Sequence, residues 1–140
     1  MVQPPDLQDR TKSFAIAIVR FCSRLRLEWA LEPLVKQLVR SGTSIGANYR
    51  GARRGRSYRE FTAKLGVAAE EADETKYWLE VMKFGLDNPP PGIDDLLVEA
   101  SEICAILTKS RNTATERLKQ RGARTLRAAF ISAALYLLLS

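Results

Sequence analysis

The residues whose types point most clearly to a function form a cluster of cations in one short part of the chain. Between positions 40 and 64 there are seven basic side chains and one acidic side chain, Glu60, so this part has a net charge of +6. The cluster consists of Arg40, Arg50, Arg53, Arg54, Arg56, Arg59 and Lys64. Arginine presents a planar fork of donors that matches a phosphate group. The cluster therefore predicts a site for RNA or DNA phosphates, with a solvated, arginine-rich loop as the alternative.

Composition and nearby aromatic residues agree with a polyanionic partner. The 140-residue chain carries a net charge of +6 and has an isoelectric point of about 9.6. Such a balance favours association with nucleic acid, although basicity alone does not specify it. Tyr49 and Tyr58 flank the arginines, where their rings either stack on bases or pack into the core.

Nothing in the sequence points to catalysis. The chain has no histidine, the residue most often used for proton transfer near neutral pH and for binding metals. No phosphate-binding loop, dinucleotide fingerprint, zinc spacing or nucleophile elbow occurs. We therefore expect no enzymatic activity, no cofactor and no metal site.

A second charged cluster follows the arginines and is acidic. It consists of Glu70, Glu71, Asp73, Glu74 and Glu80, with Lys76 among them. Paired carboxylates can bind a metal or act as acid and base, but no second cluster with matching spacing supports that use. A strip that forms salt bridges with arginines of a neighbouring protomer is the preferred interpretation.

The two cysteines and the N-terminal segment indicate the compartment. Cys22 and Cys104 each fall on an apolar helical stripe, where a reduced thiol behaves as a small buried hydrophobe. A disulfide or a metal role is the alternative. The segment MVQPPDLQDR has acidic residues and no apolar stretch typical of a secretory signal. We expect a cytoplasmic protein.

The elements that position the arginines are predicted to be helices. Helix one should begin after Pro4 and Pro5, with Asp6 as its N-cap, and run to about Leu25. Its apolar stripe is Phe14, Ile18, Phe21 and Leu25. Helix two has the stripe Leu31, Leu34, Leu38, Ser41, Ile45 and Asn48. Gly42 and Gly46 on helix two indicate either local fraying or a close approach of another helix.

The arginine-rich stretch RGARRGR, residues 50–56, breaks this pattern and is predicted to be a helix end followed by a loop. Ser57 and Glu60 then form a capping box that starts helix three. The seam of helix three keeps a heptad spacing through Phe61, Leu65, Ala68, Ala72, Thr75, Leu79 and Met82. Three successive prolines in residues 87–92 end it.

Helix four is predicted from Ile93 to about Arg111, or a little beyond. No segment alternates like a strand, and the short connections suit antiparallel neighbours. The sequence therefore predicts an all-α, antiparallel, up-and-down four-helix bundle over residues 1–118, followed by a C-terminal extension over residues 119–140.

The extension is basic from Arg117 to Arg127 and almost wholly apolar from Ala128 to Leu139. Its apolar part has about twelve residues, short of the ~20 that span a bilayer, so no membrane span is expected. It either packs on the bundle or stays poorly ordered. A helix lying on a membrane surface is a further alternative.

The block from Gln37 to Met82, QLVRSGTSIGANYRGARRGRSYREFTAKLGVAAEEADETKYWLEVM, resembles the bacterial four-helix bundle proteins encoded in intervening sequences of 23S rRNA genes. The segments 9–21 and 99–114 extend the resemblance over about residues 6–118. It implies a ring-like homopentamer with a basic surface and no known catalytic residues. Related bundles, the accessory variability determinants of diversity-generating retroelements, associate with a reverse transcriptase and its RNA.

These observations favour a homo-oligomer that binds RNA or DNA through the arginine-rich connection between helices two and three. The competing interpretation is a scaffold that docks a partner protein, or an accessory subunit of a nucleic-acid enzyme such as a reverse transcriptase. In that case the arginines would serve solubility and assembly.

Overall fold

The structure is a computed structural model and describes residues 6–139. Its helices are α1 (Leu7–Ser23), α2 (Glu32–Arg53), α3 (Tyr58–Gly85) and α4 (Ile93–Leu139), with a short 3-10 helix (Trp29–Leu31) before α2. No strand occurs among residues 6–139. Pro4 and Pro5, which were predicted to precede α1, lie outside the described residues. The predicted all-α, antiparallel four-helix bundle is confirmed.

The apolar stripes of the four helices meet in one core. Its largest fully buried apolar side chains are Ile18, Leu38, Ile45, Leu65, Leu79, Met82, Ile103 and Leu107. On α3, six of the seven predicted seam positions are buried, and Phe61 is half-buried against the same core. The helix packs against α2 on one side and α4 on the other, whereas α1 packs mainly on α2. Consecutive helices are thus neighbours, as the up-and-down topology requires.

The glycines of α2 allow α1 to approach closely. α2 continues without a break through Gly42 and Gly46. A Cβ atom at Gly42 would lie 3.0 Å from Cγ1 and Cγ2 of Ile18, and one at Gly46 would lie 3.4 Å from the backbone of Thr11. The close approach predicted as one alternative is confirmed, and the fraying alternative is wrong.

An ion pair joins the first half of α1 to α4. Arg10 donates from Nε and Nη2 to the two carboxylate oxygens of Glu99, each at 2.7 Å, and it also contacts Glu102. The hydrogen bonds from Arg10 hold the pKa of Glu99 below its usual value. Towards the end of α1 the two helices leave a groove of about 600 Å³ whose walls include Phe21 and Leu96.

α4 is much longer than predicted. It runs for 47 residues to Leu139, so the expected end near Arg111 is wrong. Gly122 is its only glycine, and one such residue costs about 1 kcal/mol relative to alanine, which is too little to end a helix rich in Ala, Leu and Arg. Every residue from Lys119 to Leu135 is exposed, so this part does not pack into the core of the bundle, although Arg121 contacts the ring of Tyr58.

The apolar part of the extension is too short to cross a membrane. Within the described part of the chain, no helix has an apolar stretch long enough to cross a membrane.

Substitution of Gly42 tests the close approach of α1 to α2. We expect Gly42→Ala to lower the free energy of unfolding by about 1–2 kcal/mol, because the added Cβ would overlap the buried Ile18 side chain. Gly66→Ala on α3 is the matched control, since its nearest atom outside the helix would be Cδ of Arg111 at 3.7 Å. The control should gain about 0.5–1 kcal/mol from helix propensity. Equal effects in urea denaturation would contradict the close contact.

Candidate nucleic-acid interface

The connection between α2 and α3 is a short turn. It comprises only residues 54–57, and Arg50 to Arg53 belong to the last turn of α2. The helix continues because Ala52 follows Ile45 by seven residues and is buried on the same stripe. Burial of this alanine outweighs the unfavourable helix propensity of Gly51. The predicted helix end followed by a loop is confirmed, and the helix ends at Arg53.

Close backbone contacts define the shape of this connection. A Cβ atom at Gly55 would lie 3.0 Å from the amide nitrogen of Phe61 and 3.1 Å from the carbonyl oxygen of Ala52. The Ser57 hydroxyl accepts a hydrogen bond of 3.0 Å from the amide of Glu60. The Glu60 carboxylate accepts one of 2.9 Å from the amide of Arg56. The predicted capping box is confirmed, and it holds the turn in one geometry.

Most of the predicted cationic residues come together at this end of the bundle. Arg54 and Arg56 lie in the connection, and Arg59 lies in the first turn of α3; all three are exposed. Arg50 is exposed on the last turn of α2. The Lys64 side chain lies along α2, with Cδ 3.3 Å from where a Cβ of Gly51 would be. Among residues 6–139, these five side chains have no carboxylate within 4.0 Å.

Arg53 has an acidic partner at the same end of the bundle. Its Nη1 lies 2.7 Å from Oδ2 of Asp6. Asp6 precedes α1 as predicted, but its side chain makes no capping hydrogen bond, because it pairs with Arg53 instead. The pair ties the start of α1 to the end of α2 and neutralises one of the predicted arginines.

Arg40 lies away from the other predicted residues. It is thirteen positions before Arg53 on α2, which corresponds to roughly 20 Å along a helix. Its Nη2 donates to Oε1 of Glu74 at 2.6 Å, and its Nη1 lies 3.9 Å from Glu71. The structure therefore separates Arg40 from the cluster around the connection.

The acidic strip on α3 is partly paired within the chain. Glu74 accepts a hydrogen bond from Nε1 of Trp78 at 3.1 Å, and this bond together with Arg40 keeps the pKa of Glu74 below its usual value. Glu71 differs, because its Oε2 is buried without a hydrogen-bond partner and burial raises its pKa. Lys76 pairs with Glu80 at 3.7 Å. Three of the carboxylates assigned to a contact between protomers thus have a cation in their own chain.

α4 adds cations that were not predicted as residues of the site. The guanidinium carbon of Arg121 lies 4.3 Å from the centre of the Tyr58 ring. Lys109 and Arg117 line a groove beside the same tyrosine. A signal was present in the sequence. Leu107 and Ala114 are buried seven residues apart, and Arg117 and Arg121 follow Ala114 at spacings of three and four, which places them on the same face of the helix. They were missed because the helix was expected to end earlier.

The two tyrosines have different surroundings. Both are half-buried and contact the core. Burial, followed by the charge of Asp6, raises the pKa of Tyr49, as expected for a ring that packs inside. Tyr58 lies at the start of α3, with its ring centre 5.7 Å from that of Phe61. Of the two tyrosines, Tyr58 lines the groove and Tyr49 does not.

The cysteines are less buried than predicted. Cys22 and Cys104 are both free and half-buried. Burial raises the pKa of the Cys22 thiol to about 11, so the thiol stays protonated at neutral pH. Over the described residues, no group of three or more cysteine, aspartate or glutamate side chains is arranged to hold a metal ion.

These features define an antiparallel helical bundle with a basic surface at the end where α2 meets α3. The model of the family 23S rRNA-intervening sequence protein matches residues 6–109, and the chain belongs to this family. The resemblance identified from the block at residues 37–82 is thereby confirmed. The match ends within α4, so the long extension lies outside it.

A solved structure has a similar fold. It is a protein with unknown function from the S23 ribosomal protein family of Bacteroides thetaiotaomicron. The two chains are 34% identical and superpose with a TM-score of 0.68; the match covers 76% of this chain and 98% of the other. No curated protein matches the chain.

The Arg40 cluster generates a prediction about stability and pH. At pH 7 we expect Arg40→Ala to lower the free energy of unfolding by about 1 kcal/mol, a small effect because water screens this half-exposed side chain. The loss should shrink as the pH falls towards 4. Without Arg40, Glu71 takes up a proton more readily in the folded state, and Glu74 loses a contact that favours its charged form.

Chemical denaturation at several pH values measures this loss. Lys36→Ala is the control, because Lys36 forms an exposed pair with Glu32 at 3.8 Å. It should change stability by less than about 0.5 kcal/mol, with little dependence on pH. A loss for Arg40→Ala that grows as the pH falls would contradict this account of Glu71 and Glu74.

Proposed function

We propose that the protein is a non-enzymatic homo-oligomer that binds the phosphates of RNA or DNA through the connection between α2 and α3. One observation carries the proposal. Arg54, Arg56 and Arg59 are exposed together at one end of the bundle, and within the described residues none of their guanidinium groups has a carboxylate within 4.0 Å. Two acids at this end of the bundle are already engaged, since Asp6 pairs with Arg53 and Glu60 caps α3.

The chemistry of this end suits a flexible polyanion. One arginine side chain can donate two hydrogen bonds to the oxygens of a phosphate. Release of counterions from the nucleic acid also favours the association. The capped turn places the three side chains on a fixed backbone, so less conformational entropy is lost on binding. Arg40 and Arg53 are not included among the phosphate-binding residues, because each already has an acidic partner.

Assembly into an oligomer would multiply a weak contact by raising the effective concentration of the neighbouring sites. The resemblance to the family implies a homopentamer. An exposed apolar stripe on α3 supports self-association: Tyr77, Val81 and Phe84 follow at spacings of four and three, and Phe84 is 77% exposed. The same stripe would serve a partner protein, which is the feature that favours the scaffold as the second candidate function.

A salt series tests the phosphate site. Anisotropy of labelled single-stranded RNA and DNA, titrated with nuclease-treated protein, gives the affinity at each salt concentration. For the triple variant Arg54→Ala, Arg56→Ala and Arg59→Ala we expect the slope of log affinity against log salt to flatten by about 2 for each engaged protomer, which corresponds to three phosphate contacts.

A matched triple variant at the other end of the bundle controls for net charge. Arg20→Ala, Arg24→Ala and Arg26→Ala remove the same charge near the end of α1. This variant should retain the slope of the unmodified protein. Equal flattening in both variants would contradict the site, and absence of binding at low salt would reject nucleic acid as the partner.

The apolar stripe generates a prediction about mass. Analytical ultracentrifugation should show the unmodified protein as an oligomer and the variant Tyr77→Ser, Phe84→Ser as a smaller species, because two large apolar contacts are lost. Trp29→Ser, at an 84% exposed tryptophan before α2, should keep the mass of the unmodified protein. A monomeric unmodified protein would contradict assembly, and an unchanged mass in the double variant would exclude this stripe as the interface.

A further inference from the structure

A groove of about 450 Å³ lies between the start of α3 and the middle of α4, next to the connection that carries the arginines. Its lining from α3 is Tyr58, Phe61 and Leu65, and its lining from α4 is Lys109, Ser110, Thr113, Ala114 and Arg117. The α3 wall is aromatic and aliphatic, whereas the α4 wall carries two cations and two hydroxyls. The volume falls in the range of ~300–1,000 Å³ typical of sites for small organic groups.

Arg121 extends the α4 wall by one turn. Its guanidinium carbon lies 4.3 Å from the centre of the Tyr58 ring, the distance of a cation–π contact. Tyr58 in turn lies beside Phe61, with the two ring centres 5.7 Å apart and the planes tilted by 35°. Aromatic rings and guanidinium planes are the two kinds of surface on which proteins stack unpaired bases.

The cations of the groove have no acidic partners. Within residues 6–139, no carboxylate lies within 4.0 Å of Lys109, Arg117 or Arg121, and the nearby Glu116 approaches Lys119 at 4.0 Å. Removal of water from such cations is costly unless an anion replaces the water. A ligand for this groove therefore combines negative charge with flat, polarisable groups.

We propose that the groove binds the unstacked bases of a single-stranded nucleic acid whose phosphates contact Arg54, Arg56 and Arg59. In this arrangement Tyr58 and Arg121 form the stacking surface, and Lys109 and Arg117 bind the adjoining phosphates. The proposal rests on the proposed function and specifies the form of nucleic acid that the site takes. A duplex is disfavoured because its bases are already paired and stacked, so none is free to stack on Tyr58 and Arg121.

The position of the groove relative to the connection supports a continuous path for one strand. Tyr58 follows the cap residue Ser57 directly, so the groove begins one residue after the arginine-bearing turn. Arg117 and Arg121 reach the same place from α4 because they lie on the face that is buried further up the helix. The strand would pass from the exposed arginines of the connection into the groove without leaving the basic surface.

The test compares two pairs of arginines on α4. Affinities are measured for a labelled single-stranded oligonucleotide and for a hairpin duplex of equal charge, whose two strands are joined by a non-nucleotide linker so that it offers no unpaired bases. The variant is Arg117→Ala, Arg121→Ala, and the control is Arg124→Ala, Arg127→Ala. All four residues are exposed, and each pair removes the same charge. The first pair should weaken single-strand binding about tenfold or more, and the control pair should weaken it less than about threefold.

Substitutions of Tyr58 test the stacking surface separately. Tyr58→Leu should lose about tenfold in single-strand affinity, whereas Tyr58→Phe, which keeps the ring, should stay within about twofold of the unmodified protein. Far-ultraviolet circular dichroism and thermal melting check that each variant is folded. Because the arginine pair is exposed, its result stands even if the leucine variant unfolds.

The outcomes separate this inference from the proposed function. If single strands bind and the triple variant of the connection weakens them, but the Arg117, Arg121 pair behaves like its control, the groove assignment is overturned alone. Equally tight binding of the hairpin, or equally effective competition by poly-glutamate, would also overturn it, because either result shows a general anion surface. If no nucleic acid binds at low salt, both proposals fail.

Discussion

The four-residue turn between α2 and α3 is the constraint on which the remaining geometry depends. Gly55 leaves no room for a side chain between the carbonyl of Ala52 and the amide of Phe61. The Ser57–Glu60 cap then fixes where α3 begins. Because α3 packs on both α2 and α4, its starting position sets the register of both of these contacts. The same turn therefore determines the position of the core seam and the direction of the exposed arginines.

Acidic side chains are distributed so that one end of the bundle keeps its positive charge. Arg10 is neutralised by Glu99, Arg40 by Glu74 and Arg53 by Asp6, and each pair links two different helices. These cations are paired with carboxylates, whereas within the described residues the cations of the connection and of the neighbouring α4 wall have no carboxylate within 4.0 Å. A net charge spread over the whole chain would say little about a site. Here the charge is concentrated beside a half-buried tyrosine, so the surface combines cations with an aromatic ring.

The fold was predictable because the sequence repeats its apolar residues with one period. The heptad seam of α3 identified Leu65, Ala72 and Leu79 correctly as core residues, and the capping box located the start of the helix. Local patterns of this kind depend only on the helix period. The exact last residue of α2 could not be predicted, because two glycines and four arginines obscure the apolar pattern there and burial of Ala52 by the other helices decides where the helix ends.

The site could be predicted only in part, for a similar reason. The cluster of arginines was visible as a local excess of charge, but which of them have partners depends on contacts across the bundle. Asp6 and Arg53 are 47 positions apart, and Arg40 and Glu74 are 34 positions apart. The contact of Arg121 with Tyr58 required α4 to continue past its expected end. The spacing of residues within one helix does not show which residues of another helix they contact.

The unequal packing of α1 has a consequence for motion. This helix contacts α2 closely at Gly42 and Gly46, but a groove of about 600 Å³ separates its second half from the start of α4. Elements with fewer buried contacts open at a lower free energy than the rest of a domain. The amides of α1 should therefore exchange with solvent deuterium before those of α3, which is enclosed by two helices.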